Sequence, residues 1–195
     1  MNPTLRALVL AALLFVSQRA VSQAMATAVQ NLRPSVFGGA SAVETGLDSG
    51  RNLSLTGGFD VELPRFRRVA PALEYRATMA IDKGGVDGQK NQLVGLKLIA
   101  PLPRFKPYAT VLYGRGEIQY VTPLQVPGTP IFYTASSSNV LALGVGVDYD
   151  LHAHFGVKLD LQSQRYATPV EPSGHVYATS AMVGLVYHLH FGPVR

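Results

Sequence analysis

The chain has 195 residues, of which 47% are hydrophobic and 15% charged, with 19 glycines, 13 prolines, a formal charge of +5 and neither cysteine nor tryptophan. This composition excludes a disordered chain, and the length supplies surface for one sizeable folded domain. Without cysteine there are no disulfide staples, no thiolate chemistry, no cysteine-ligated metal and no lipid-modified N-terminal cysteine.

The first element is an export signal. Arg6 precedes an apolar run over 7–16, ALVLAALLFV, which is too short to span a bilayer as a helix but suits the core of a signal peptide. Small residues at Ser22 and Ala24, and again at Ala24 and Ala26, predict cleavage after Ala24 or Ala26, so that 1–26 is a signal peptide and 27–195 the mature domain. Cleavage removes Arg6 and Arg19 with it, and the reduced positive charge gives no reason to expect a nucleic-acid partner.

Beyond residue 30 the hydrophobic period is two. Eight alternating segments are expected at 34–44, 51–63, 69–82, 92–101, 106–119, 139–150, 154–166 and 175–191. In the second, Leu53, Leu55, Phe59 and Val61 share one face, and Ser54, Thr56, Asp60 and Glu62 share the other. The third sets Leu73, Tyr75, Ala77, Met79 and Ile81 against Glu74, Arg76 and Thr78. The sixth and seventh set Leu141, Leu143, Val145, Val147, Phe155, Val157, Leu159 and Leu161 against Asp148, Asp150, Lys158 and Asp160. The first and fifth segments are less regular, because their phase leaves either Phe37 or Tyr113 on the minority face.

Alternation alone fits a soluble barrel with a greasy lumen as well as a membrane barrel with a greasy exterior. Glycines and charges of both signs on the polar faces suit a narrow, ion-paired interior. The segments also have the roughly 9–11 residues a tilted transmembrane strand requires. The connections 64–68, 102–106 and 151–154 are short, and they interleave with longer ones at 45–50, 83–91, 120–138 and 167–174. Such asymmetry predicts an all-β fold: an eight-stranded, antiparallel, up-and-down transmembrane barrel with short turns at one end and loops at the other.

The turn sequence Leu63-Pro64-Arg65-Phe66-Arg67 repeats as Leu102-Pro103-Arg104-Phe105-Lys106. Phe66, Phe105, Tyr108, Tyr149, Phe155, Tyr187 and Phe191 are expected to form an aromatic girdle at that end, and Arg65, Arg67, Arg68, Arg104 and Lys106 are either solvated or in contact with lipid phosphates. With the fifth segment phased to turn its charges inward, the lumen is predicted to hold Asp60, Glu62, Glu74, Arg76, Lys97, Arg115, Glu117, Asp148, Asp150, Lys158 and Asp160 as an interlocking ion-pair network.

The C-terminal run Val183, Leu185, Tyr187, Leu189, Phe191 resembles the strand signal by which the barrel-assembly machinery recognises bacterial outer-membrane proteins. Together with the export signal and the eight segments, it makes the chain similar to small outer-membrane β-barrels of the OmpA/OmpX-like general class. Here the aromatic residue is followed by Gly192, Pro193, Val194 and Arg195, a departure from the usual terminal position. The resemblance implies location in the bacterial outer membrane, with outer-membrane lipid and lipopolysaccharide as neighbours. The loop asymmetry adds the expectation of a structural or adhesive, surface-binding role exercised through the loops, without catalysis.

No catalytic constellation stands out. Lipid A deacylase-like barrels carry a His-x-Ser element that this chain lacks, and Ser173 with His175 is the nearest match. The pairs His152/His154 and His188/His190 supply only two ligands each, so neither a metal site nor a cofactor is expected. The segment 120–138 carries Val121, Leu124, Val126, Ile131, Phe132 and Tyr133 among prolines, an apolar load that predicts either a partner-binding loop or a lid. A narrow solute conduit, a lipid-modifying enzyme and a soluble exported barrel with a hydrophobic ligand remain as alternatives at this stage.

Overall fold

A computed structural model describes residues 32–46, 50–82 and 88–189. The signal peptide and cleavage site, together with Phe191 and the residues after it, lie outside the described residues. Eight strands form one closed antiparallel barrel: β1 (Arg33–Glu44), β2 (Arg51–Glu62), β3 (Ala70–Asp82), β4 (Gly88–Ile99), β5 (Phe105–Gln125), β6 (Phe132–Asp150), β7 (Phe155–Ala167) and β8 (His175–His188). Each strand pairs with the next in sequence, and β1 closes on β8 from Ser35↔His188 to Glu44↔Thr179. This is the up-and-down topology expected from the alternating segments.

The alternation settles into an outer and an inner face. Leu53, Leu55, Phe59, Leu73, Met79, Val94, Leu96, Val111, Tyr113, Leu143, Val145, Leu159, Leu161, Val183 and Leu185 are all exposed on the outside. The inner face is closed by contact between side chains and glycines. Phe37 lies across Gly58, its cross-strand partner, where a Cβ would meet the ring at 2.7 Å. An eight-stranded barrel has room only for its own side chains, and glycine opposite an aromatic ring is one way to fit a large ring into that bore.

The structure corrects the sequence reading at four places. β5 has the opposite phase: Leu112 is fully buried inside, Tyr113 is exposed outside, and Arg115 and Glu117 therefore lie on the outer face. Tyr108 is buried in the lumen and takes no part in the girdle. β4 starts at Gly88, because polar residues such as Gln89 and Asn91 are buried inside and pair with β5 as a normal strand. Most of the connection read as 120–138 is strand, since β5 and β6 run on past their neighbours as a two-stranded ribbon whose turn occupies only 126–131.

Candidate functional site: a filled lumen and a projecting ribbon

The lumen is layered. Nearer the short turns, seven ionic side chains no more than 6% exposed share the bore: Asp60, Glu74, Asp148 and Asp160 with Arg76, Lys97 and Lys158. Arg76 grips Asp160 through both terminal nitrogens, at 2.5 and 3.1 Å, and reaches Glu74 at 2.8 Å. Lys97 sits between Asp60 at 3.2 Å and Asp148 at 2.7 Å, while Lys158 reaches the other oxygen of Asp148 at 3.2 Å. The Tyr108 hydroxyl donates to Asp160 at 2.8 Å, and the Ser35 hydroxyl donates to Asp60 at 2.6 Å.

The cations also have aromatic neighbours. The ammonium groups of Lys97 and Lys158 each lie 4.2 Å from the centre of the Tyr108 ring, and Lys158 lies 4.6 Å from that of Phe37. Buried charges are tolerated only when paired and hydrogen-bonded, and a ring face adds attraction in a dry environment.

Above this layer, hydroxyls and amides are linked in chains, Ser41 to Thr56 at 2.7 Å and Thr56 to Thr78 at 3.0 Å. Asn91 donates to Gln164 at 2.9 Å and to the Tyr166 hydroxyl at 2.7 Å. Toward the loop end the bore becomes apolar: Val43, Leu93, Leu112, Ile118, Val140, Tyr166 and Val176 pack as one cluster. Tyr120 and Val170 extend the cluster, and Leu124 rests against it. Sequence reading missed this plug, because an apolar residue facing inward breaks the pattern that separates oily outside from polar inside.

The remaining predicted lumen residues sit at the edges. Glu62 is half-buried at the turn-end mouth, 3.5 Å from Arg65. Asp150 bridges Lys106 at 2.5 Å and His188 at 3.1 Å at the same mouth. Glu117 lies on the outer surface near the loop end, 3.1 Å from Lys90, and Arg115 is exposed beside it, opposite Gln92 and Asn139. Both belong above the apolar belt, where an outward charge meets polar surroundings and has no desolvation cost to offset. The Ser173 hydroxyl bonds to the backbone carbonyl of His175 at 2.9 Å, while the imidazole of His175 contacts Arg165, so the pair has no nucleophile–base geometry.

The ribbon presents Val121, Ile131, Phe132 and Tyr133 to the outside, with Val126 at its turn and Leu124 turned back toward the barrel. The Tyr120 hydroxyl and the Thr168 hydroxyl, 2.7 Å apart, tie its base to the β7–β8 loop. From 132 to 139 β6 pairs with β5 on one side only, since its pairing with β7 begins at Val140↔Tyr166. This stretch, FYTASSSN, has neither a charge nor a proline, the features that usually protect an open strand edge. Of the C-terminal signal residues, Val183, Leu185 and Tyr187 lie on the outer face of β8, and Leu189 follows the strand.

The same architecture occurs in solved structures. Ail, the attachment invasion locus protein of Yersinia pestis, is 13% identical with a TM-score of 0.51, the match covering 82% of this chain and 99% of that one. Ail in complex with the heparin analogue sucrose octasulfate gives 15% identity, a TM-score of 0.52 and the same coverages. Neisserial surface protein A gives 12% identity and a TM-score of 0.52, over 82% of this chain and 97% of that one. No family model matches the sequence, and no curated protein matches it either. The likeness is one of fold: the chain has the architecture of the small eight-stranded outer-membrane β-barrels.

Proposed function

We propose that the chain is a closed barrel of the bacterial outer membrane, exported by its N-terminal signal peptide, that binds partners through the β5–β6 ribbon and carries out no catalysis. The observation that carries the membrane reading is the belt of exposed apolar side chains around the whole barrel. It is far more extensive than the few hundred Å² a soluble monomer normally exposes. On β5 and β6 the belt runs from the pair Phe105↔Tyr149 to Tyr113↔Leu141, about the length a tilted strand needs to cross hydrocarbon, roughly 9–11 residues. The short turns then face the periplasm and the ribbon projects outside. Outer-membrane lipid and lipopolysaccharide surround the belt, and the barrel-assembly machinery inserts it.

The binding role is supported by the open edge of β6 and by the aromatic and aliphatic residues displayed beside it, the side-chain types that anchor interfaces. Two structural neighbours are named as an attachment invasion locus protein and a surface protein, which favours the same reading. The apolar plug, with Leu93, Leu112, Ile118 and Val140 above paired charges, argues against a solute conduit.

The test replaces 121–133 by a short Asn-Gly turn and compares attachment of expressing cells to epithelial monolayers. Attachment falls to the level of cells lacking the protein, while heat-modifiable gel migration of the barrel is retained. Undiminished attachment contradicts the ribbon's role. Step conductances in planar bilayers containing the purified protein contradict the closed bore.

A further inference from the structure

The turn end carries cations that the lumen does not use. Between β2 and β3 the chain makes a small second hairpin: Phe66 and Val69 exchange both backbone hydrogen bonds, at 2.9 and 3.1 Å, leaving Arg67 and Arg68 as its two-residue tip. Such tips favour glycine or asparagine, because the backbone must enter the left-handed region. Here Arg67 occupies that region with φ of 56°, so a bulky side chain sits where the backbone disfavours one. Its guanidinium lies 5.7 Å from the centre of the Phe66 ring, which is itself 72% exposed. The next turn round the barrel, between β4 and β5, presents Arg104 between exposed Leu102 and Phe105.

Among the described residues Arg67, Arg68 and Arg104 have no carboxylate partner, whereas Arg65 reaches Glu62 and Lys106 is held by Asp150. All three of these turn cations are arginines, whose planar forks match a phosphate in bidentate geometry. They lie on adjacent turns, because β3 and β4 are neighbours in the sheet. The third turn, 151–154, offers Leu151, His152 and His154 with neither arginine nor lysine, so among the three turns the positive charge lies on the first two.

Resting on the membrane reading above, we infer that the Arg67, Arg68 and Arg104 turns form a binding surface for anionic phospholipid headgroups of the periplasmic leaflet. Phe66, Leu102 and Phe105 enter the boundary between headgroups and chains, and the guanidinium groups hold the phosphates. Exposed apolar side chains interleaved with arginines favour a lipid surface, which accepts both, over a purely solvated acidic polymer. The left-handed tip places the Arg67 fork beside the Phe66 ring that enters this boundary.

The experiment places the whole mature protein in phosphatidylcholine bilayers with trace spin-labelled phosphatidylglycerol or phosphatidylcholine, and reads the motionally restricted lipid at the barrel by electron spin resonance. At low salt the wild type favours phosphatidylglycerol by about fivefold, the equivalent of one basic side chain at a charged surface. Most of that preference is lost in R67Q/R68Q/R104Q and kept in R115Q, which changes the opposite end. Arg67→Gly lowers the preference while the unfolding midpoint stays the same or rises, an outcome that a purely structural role for Arg67 does not give.

Equal preference in the wild type and the triple variant overturns the inference, as does loss confined to R115Q. Binding to isolated peptidoglycan sacculi that the triple variant loses, without any lipid preference in the wild type, also overturns it in favour of the cell-wall polymer. A restricted component without preference for either lipid overturns this inference alone. Absence of any restricted lipid overturns the membrane reading and this inference with it.

Discussion

Tyr108 and Gly146 face each other across β5 and β6, and a Cβ on residue 146 would lie 2.4 Å from the Tyr108 hydroxyl and 2.5 Å from the carbonyl oxygen of Leu159. The ring that receives Lys97 and Lys158 on its faces therefore owes its position to a missing side chain on the next strand. Gly146→Ala is expected to displace the ring and cost about 1–3 kcal/mol, the range for overpacking a filled interior. The midpoint of urea unfolding in lipid vesicles measures it, with Gly38→Ala, where a Cβ would meet nothing closer than the Thr56 carbonyl oxygen at 4.0 Å, as the comparison for an uncrowded site.

Asp148 and Glu74 are both buried carboxylates, but they carry unequal burdens. Asp148 pairs with two ammonium groups, while Glu74 shares Arg76 with Asp160. Asp148→Ala leaves two buried lysines short of a partner and is expected to cost about 3–5 kcal/mol, as for a broken buried pair. Glu74→Gln keeps an oxygen acceptor for Arg76 and is expected to cost clearly less. Equal unfolding midpoints for the two variants would show that the network does not distribute charge as described.

Much of this interior was legible beforehand, and the failures have identifiable causes. Asp60, Glu74, Arg76, Lys97, Asp148, Lys158 and Asp160 alternate with large apolar residues along their strands, so the pattern alone puts them on the inner face. In β5 the neighbours Leu112 and Tyr113 are both apolar, so alternation leaves the phase open, and Arg115 and Glu117 point to the wrong one when read as lumen charges. An inward phase for those charges suits a strand that faces hydrocarbon throughout, but β5 is 21 residues long and its upper part extends beyond the belt, where charge belongs outside. The same overhang hid the ribbon: Pro123, Pro127 and Pro130 read as loop punctuation, yet Pro123 lies in a strand whose register shifts between Gln119 and Leu124. The plug could have been suspected from Val43, Leu93 and Val176, each on the polar face of its strand.

The base of the ribbon is tethered by one buried hydroxyl pair, Tyr120 with Thr168. Tyr120→Phe removes one hydroxyl and is expected to cost about 1 kcal/mol, felt locally at the ribbon more than across the barrel. Hydrogen exchange should quicken at 120–137 and remain unchanged in the part of β6 that pairs with β7. Uniform quickening around the barrel would show that the ribbon and the wall open together.

The central claim is that the apolar stripes contact lipid while the ionic stripes and the plug around Tyr166 are enclosed. Because the chain has no tryptophan, single tryptophans can be introduced as reporters and quenched by lipids brominated along their acyl chains. Tryptophan at Leu143 or Leu159 is predicted to be strongly quenched, and tryptophan at Tyr166, inside the plug, to be spared. Quenching at residue 166 with protection at 143 and 159 would mean that the barrel is turned inside out relative to this account.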